Sequence, residues 1–165
     1  MMVELGVHSY FSFLDGASSP ADLAEQAARL GYDALGLTDG GGLYGAVQHS
    51  RAARAAGLRP LFGADLHLEG GGSFGVLVRD EQGWFSLCRL LSRMGLQRDA
   101  SGRPVKGKGR IRPQWLAEEN ATTGLVALTG GPRGWVPGLL GRGDRPGAVE
   151  ATRQVASQEP VRHRA

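Results

Sequence analysis

The sequence predicts an α/β protein built from repeated βα units, arranged as a parallel sheet or barrel. Short apolar runs alternate with amphipathic stretches at helical spacing. Two segments, "ARLGYDALGLTD" and "ARAAGLRPLFGAD", repeat the order helix, glycine, strand, acid, and "NATTGLVALTGG" repeats the approach without the acid. The expected strand ends carry His8, Asp39, Asp65 and the Gly130–Gly131 pair. In βα barrels, functional groups gather at that end of the strands.

The elements follow in order. "VELGV" reads as a short buried strand ending at His8. "SSPADLAEQAARLG" has a helix's punctuation: Ser18 or Ser19 as cap, Pro20 in the first turn, Asp22 and Glu25 near the positive end, Gly31 as the stop. Leu23, Ala24, Ala27 and Leu30 form its apolar stripe. "DALGLTD" is a strand ending at Asp39, and "LYGAVQHSRAARAAG" a second helix closed by Gly57. "PLFGADLHL" is a third strand, with Asp65 in its second half. "GGSFGVLVRD" reads as a glycine turn and a strand. "EQGWFSLCRLLSRMG" is a third helix, with Trp84, Leu87, Leu90, Leu91 and Met94 near helical spacing. After the polar, basic segment 97–112 come a short helix in "RPQWLAEEN" and a fifth strand in "GLVALTG". The remainder is broken by proline and glycine, with a helix over 144–156 and a loose tail over 157–165.

With 165 residues and 41% hydrophobic content, one domain with its own core is expected. Glycine is over-represented at 27 residues, about twice the usual ~7% share. The net charge of +3 permits a polyanionic partner without demanding one. Cys88 is the single cysteine, which excludes an intrachain disulfide framework and reads as an apolar filler. No apolar run approaches the ~18 residues of a membrane span, and the N-terminus has no secretory pattern. A cytoplasmic location is expected.

Four strand-end groups suggest a metal site. An imidazole with carboxylates suits zinc, manganese or iron, and carboxylates alone suit magnesium or manganese. His8, Asp15, Asp39 and Asp65 would supply such a set, although each also suits a cap or turn. His67 lies two residues after Asp65 on the same strand face and is a substitute ligand candidate. His49, flanked by Ser50 and Arg51, reads as a surface residue. "GGGLYG", Gly40–Gly45, matches GxGxxG spacing, but it sits in the second βα unit and no P-loop lysine follows. Arg103, Lys106, Lys108 and Arg110 alternate with glycine in the 98–112 segment. They could follow a nucleic-acid backbone or simply lie on a solvated loop.

Taken together, "SFLDGASSP", "LYGAV", "EQGWFSLCRLLS" and "GLVALTGGPRG" in this order resemble the N-terminal PHP (polymerase and histidinol phosphatase) domain of bacterial C-family DNA polymerases, the error-prone branch most closely. The resemblance covers roughly residues 2–155. It implies a partial, distorted (β/α)7 TIM-like barrel, truncated at its C-terminus, with residues 1–156 as the domain. Active members bind two or three metal ions at the strand ends and hydrolyse phosphoesters. Carried over residue by residue, His8, Asp15 and Asp39 match ligand positions, and Asp65 stands where a glutamate is expected. Gly6, Gly40 and Gly131 occupy ligand positions without a coordinating side chain, and the later ligands of the family lie beyond residue 165. The resemblance therefore implies a degenerate site with weak or absent Zn2+, Mn2+ or Mg2+. It also implies a place in DNA replication or translesion repair, DNA or DNA-polymerase components as partners, and self-association through open barrel edges. A small metal-dependent phosphoesterase and a nucleic-acid-binding fragment are the alternative expectations.

Overall fold

A computed structural model describes residues 2–105, 107, 109–131 and 134–156. The elements are β1 (Val3–Val7), α1 (Pro20–Arg29), β2 (Ala34–Leu37), α2 (Ala46–Ala55), β3 (Arg59–His67), β4 (Ser73–Val78), α3 (Glu81–Gly95), α4 (Pro113–Leu116), β5 (Leu125–Leu128), α5 (Trp135–Gly141) and α6 (Arg145–Ala156). The expected tail over 157–165 lies outside the described residues.

Local chemistry explains where the helices start. Ser19 accepts a hydrogen bond from the Asp22 N–H while the Asp22 carboxylate accepts one from the Ser19 N–H, a reciprocal cap at the start of α1. Gly31 ends that helix at φ +78°, where a side chain would be strained. Asp80 caps α3 by accepting from the Gly83 N–H at 2.9 Å. The buried stripe of α1 is Pro20, Ala24 and Ala27, whereas Leu30 falls past the helix end and is exposed.

The five strands form one curled sheet in the order β1-β2-β3-β4-β5, a half-barrel. β1, β2 and β3 are parallel, but β3–β4 and β4–β5 are antiparallel, against the expectation of a parallel sheet. Gly70, Gly71 and Gly72 all have positive φ, so the chain reverses within a few residues after β3. A turn that short makes a hairpin, since a parallel return needs a crossover of a dozen residues or more. Two reversals restore the direction in β5. The C-terminal ends of β1, β2, β3 and β5 therefore share one edge with the start of β4.

Close strand contacts depend on missing side chains. A Cβ on Gly36 would lie 2.4 Å from the Leu5 carbonyl oxygen, and one on Gly63 would lie 2.1 Å from that of Val76. On the concave face, a Cβ on Gly6 in β1 would reach Leu128 of β5 at 4.0 Å and Thr38 Oγ1 at 3.4 Å. The sheet thus curls far enough to bring its two outer strands together.

Two apolar clusters flank the sheet. Ala24, Ala27, Leu35, Ala53 and Leu58 join α1 and α2 to β2. Leu66, Phe74, Val76, Leu87, Leu90, Ile111 and Trp115 join α3 and α4 to β3 and β4. His49, expected on the surface, is fully buried. Its Nε2 lies 3.0 Å from the Leu35 carbonyl oxygen and 3.2 Å from that of Leu61, binding α2 to two strands at once. Ala46, His49 and Ala53 share the inward face of α2, so the polar neighbours Ser50 and Arg51 said nothing about position 49. Cys88 is only half-buried.

β1 differs from the buried strand expected. Leu5 and Gly6 are exposed, and the Glu4 carboxylate accepts their N–H groups at 3.0 and 3.2 Å along the free edge. α5 was not expected at all. "WVPGLLG" contains proline and glycine, but Pro137 falls in the first turn, where its absent N–H costs nothing.

Gly36→Ala should destabilise the chain by roughly 1–3 kcal/mol in urea unfolding, because the added methyl forces β1 away from β2. Gly95→Ala, at the open end of α3 with nothing within 4 Å of the added carbon, should be neutral or stabilising.

Candidate functional site: a cleft at the strand ends

The shared strand edge opens into a cleft of about 810 Å³. His8, Asp15, Asp65 and His67 line it, with Phe11, Phe13 and Phe74 as apolar walls and Gly40, Gly130 and Gly131 among its glycines. Three of the four expected ligands therefore meet there, together with the substitute candidate His67. Asp39 does not line this cleft.

Asp39 is 1% exposed and is surrounded by serines. Its Oδ1 accepts from the Ser9 N–H at 2.7 Å and the Ser12 hydroxyl at 2.7 Å, and its Oδ2 from the Ser9 hydroxyl at 2.8 Å. Ser12 Oγ in turn accepts the Gly40 N–H at 3.0 Å. A Cβ on Gly45 would approach Asp39 Oδ2 to 2.9 Å, so glycine there leaves room for the carboxylate. Asp39 thereby anchors the loop from Ser9 to Gly16 to the end of β2. Gly16 is needed in that loop, because a Cβ there would lie 2.0 Å from the Ser9 carbonyl oxygen.

The anchored loop turns outward at its tip. Phe13 and Leu14 are 86% and 92% exposed, and Leu14 has φ +65°, a strained conformation for a branched residue. Asp15 turns back toward the sheet, where its Oδ2 lies 2.5 Å from His8 Nδ1. The other ring nitrogen, Nε2, lies 3.4 Å from Asp65 Oδ2. His8 is thus held between two carboxylates. Its pKa is pushed up to about 9, chiefly by the hydrogen bond to Asp65, with Asp15 adding and burial opposing. Asp15 is the nearer of the two but is 53% exposed against 22% for Asp65, so water screens it more strongly. At neutral pH both His8 nitrogens carry protons.

His67 has the opposite character. Burial first, and then the Arg110 charge, lower its pKa and keep it neutral. Its Nε2 would lie 3.6 Å from a Cβ on Gly40, so the imidazole of position 67 borders the space above that glycine. The main chain sets this arrangement. The Gly41 N–H donates to Asp65 O at 2.8 Å and the Asp65 N–H to Asp39 O at 3.1 Å, extending the β2–β3 pairing past the strand ends.

Gly40–Gly45 forms the turn into α2, whose start has no side-chain cap. Of the basic candidates, Arg103 lies on an exposed turn with its N–H bound to Asp99 Oδ1, and it lines neither strand-end cleft. Arg110 lines a second, adjoining cleft, while Lys106 and Lys108 lie outside the described residues. Among the described residues, no three His, Cys, Asp or Glu side chains are placed to hold a metal ion. No helix among them is long and apolar enough to cross a membrane. Sequence reasoning missed Ser9 and Ser12. The available signal was their position among aromatics in "HSYFS", where a polar residue must find a buried partner.

The histidines set the pH dependence of stability. His8, His49 and His67 all begin near 6.5 when unfolded. The raised pKa of His8 gives stability that is complete below about 6.5 and is lost as pH climbs through about 9. The lowered values of His49 and His67 give stability that is complete above about 6.5 and is lost as pH falls below it. Urea unfolding across pH should therefore give maximal stability near 6.5, and His8→Gln should remove the alkaline limb while leaving the acid limb.

Comparison with known proteins agrees with this architecture. The family model described as "PHP domain" matches residues 4–158. The error-prone DNA polymerase of Symbiobacterium thermophilum is 40% identical over an alignment of 168 residues that covers 97% of this chain and 16% of that protein. DNA polymerase III subunit alpha of Bacillus subtilis is 32% identical over 162 residues, covering 94% of this chain and 14% of that protein. The chain thus spans about a sixth or less of the length of these curated relatives. A solved structure, a putative metal-dependent phosphoesterase from Bifidobacterium adolescentis, is 16% identical with a TM-score of 0.47, covering 96% of this chain and 57% of that one. By the extent of the family match and the βα half-barrel it accompanies, the chain belongs to the PHP-domain family.

Proposed function

We propose that the chain is a PHP module of the error-prone DNA polymerase type, with a structural rather than hydrolytic role in a DNA-synthesising protein of the bacterial cytoplasm. Its partners on this reading are DNA or DNA-polymerase components, in replication or translesion repair. The observation that carries the reading is the state of His8. Both of its nitrogens are paired with Asp15 and Asp65, side chains that a metal cluster would need for itself. Gly6, Gly40 and Gly131 contribute no donor to the same edge, and Asp39 is committed to Ser9 and Ser12.

The residues present do not fit a two- or three-metal hydrolytic centre. Such a centre shares bridging ligands among ions in fixed geometry. Here, the His8 imidazole lies between the Asp15 and Asp65 carboxylates, pairing the groups that such a centre would share. The competing reading is a metal-dependent phosphoesterase, favoured by the size of the cleft and by the neutral imidazole of His67.

The two readings separate by metal analysis. Purified protein dialysed against manganese or zinc should retain less than one ion per chain and leave a phosphodiester substrate intact. Stoichiometric retention with metal-dependent hydrolysis would establish the phosphoesterase instead. Gly6→His combined with Gly40→His should raise manganese affinity by restoring two imidazoles to the strand ends; unchanged affinity would refute the ligand mapping.

A further inference from the structure

We infer that the cleft beside the strand-end site, between the Gly40–Gly42 turn and the C-terminal end of α3, binds a small oxyanion through Arg110. This cleft, of about 430 Å³, adjoins the larger one at Gly40, His67 and Gly107. The two differ in charge. Asp15 and Asp65 line the larger cleft, whereas no acidic residue among those described lines the smaller one.

The chain builds this cleft with care. The Ile111 N–H donates to His67 O at 2.8 Å and the Glu69 N–H to Ile111 O at 2.9 Å, pinning the 109–111 segment beside the end of β3. Gly109 packs on α3 so closely that a Cβ there would lie 2.2 Å from the Met94 carbonyl oxygen. Gln97 then grips the backbone of Arg110 from both sides, its Nε2 donating to Arg110 O at 2.8 Å and its Oε1 accepting the Arg110 N–H at 2.7 Å. The main chain of Arg110 is fixed, yet its guanidinium has only the Gly109 carbonyl as partner among the described residues. It forms no ion pair there, while Arg79, Arg93, Arg112 and Arg153 all do.

The remaining groups suit an anion. His67 lines the cleft and offers a ring N–H. Tyr44 is 70% exposed, and its ring lies over Gly42, where a Cβ would be 2.2 Å from Tyr44 Cε2. Its hydroxyl has no hydrogen-bond partner among the described residues. Ser92 adds a second hydroxyl to the lining. At this end of α3, Ser92 O accepts the Leu96 N–H, and Met94 O accepts the N–H groups of Leu96 and Gln97. A guanidinium fork with hydroxyl and imidazole donors matches the oxygens of a phosphate or carboxylate group. This binding is independent of metal and of the structural role proposed above.

The test is a backbone-amide NMR titration of the 165-residue chain with inorganic phosphate, and separately with acetate, against chloride at matched ionic strength. Saturable shifts confined to Gly40–Gly42, His67 and Arg110 are expected with at least one oxyanion. Arg110→Gln should weaken that binding by about tenfold or more, the loss of one charge-assisted donor group. Arg110→Lys, which keeps the charge without the fork, should retain part of it, and Tyr44→Phe should weaken it while leaving the urea midpoint unchanged. Shifts equal to those in chloride, shifts spread over Arg98 and Arg103, or full binding by Arg110→Gln would overturn the assignment. So would an Arg110→Gln variant that lost stability while Arg110→Lys and Tyr44→Phe bound neither anion differently from the parent chain. That pattern would make Arg110 only the countercharge at the end of α3.

Discussion

The strand-end architecture depends on one buried carboxylate. Asp39 accepts hydrogen bonds from Ser9 and Ser12 inside the protein, where an unpaired carboxylate would be costly. Those bonds join the end of β2 to the loop that follows β1. With the loop anchored, Asp15 returns to His8, Phe13 and Leu14 project outward, and the cleft acquires its wall. An aspartate at a strand end can act as a ligand or as a brace. Here, Asp39 braces the loop.

The glycines of this edge do two different kinds of work. Gly36, Gly45 and Gly63 are required by close contacts, since any side chain would strike a neighbouring backbone or the Asp39 carboxylate. Gly6, Gly40 and Gly131 are under no such pressure: a Cβ would meet its nearest neighbour at 3.4 Å, at 3.6 Å or not at all within 4 Å. Space for a side chain therefore exists at all three positions. The remaining groups pair with one another, with His8 between Asp15 and Asp65.

Much of the fold was legible in local sequence. The serine cap before Pro20, Gly31 and the apolar periodicity of α3 all act over a few residues, so short windows reveal them. Sheet direction was less accessible. "EGGG" signals a turn, but the hairpin it makes changes the relation of β3, β4 and β5 only once the strands pair. His49 was misjudged for a related reason: its partners are the carbonyls of Leu35 and Leu61, distant in sequence and invisible to helix-surface reasoning.

The sequence by itself determined the alternating elements, the family, and which residues reach the strand-end edge, because those follow from periodicity, capping and short motifs. The tertiary structure decided what those residues do there. Asp39 turned inward to Ser9 and Ser12, His8 came to lie between two carboxylates that raise its pKa, and burial and the Arg110 charge lowered that of His67. Protonation, burial and pairing depend on distances of a few ångströms between distant segments. Only the folded arrangement of the sheet and its loops sets those distances.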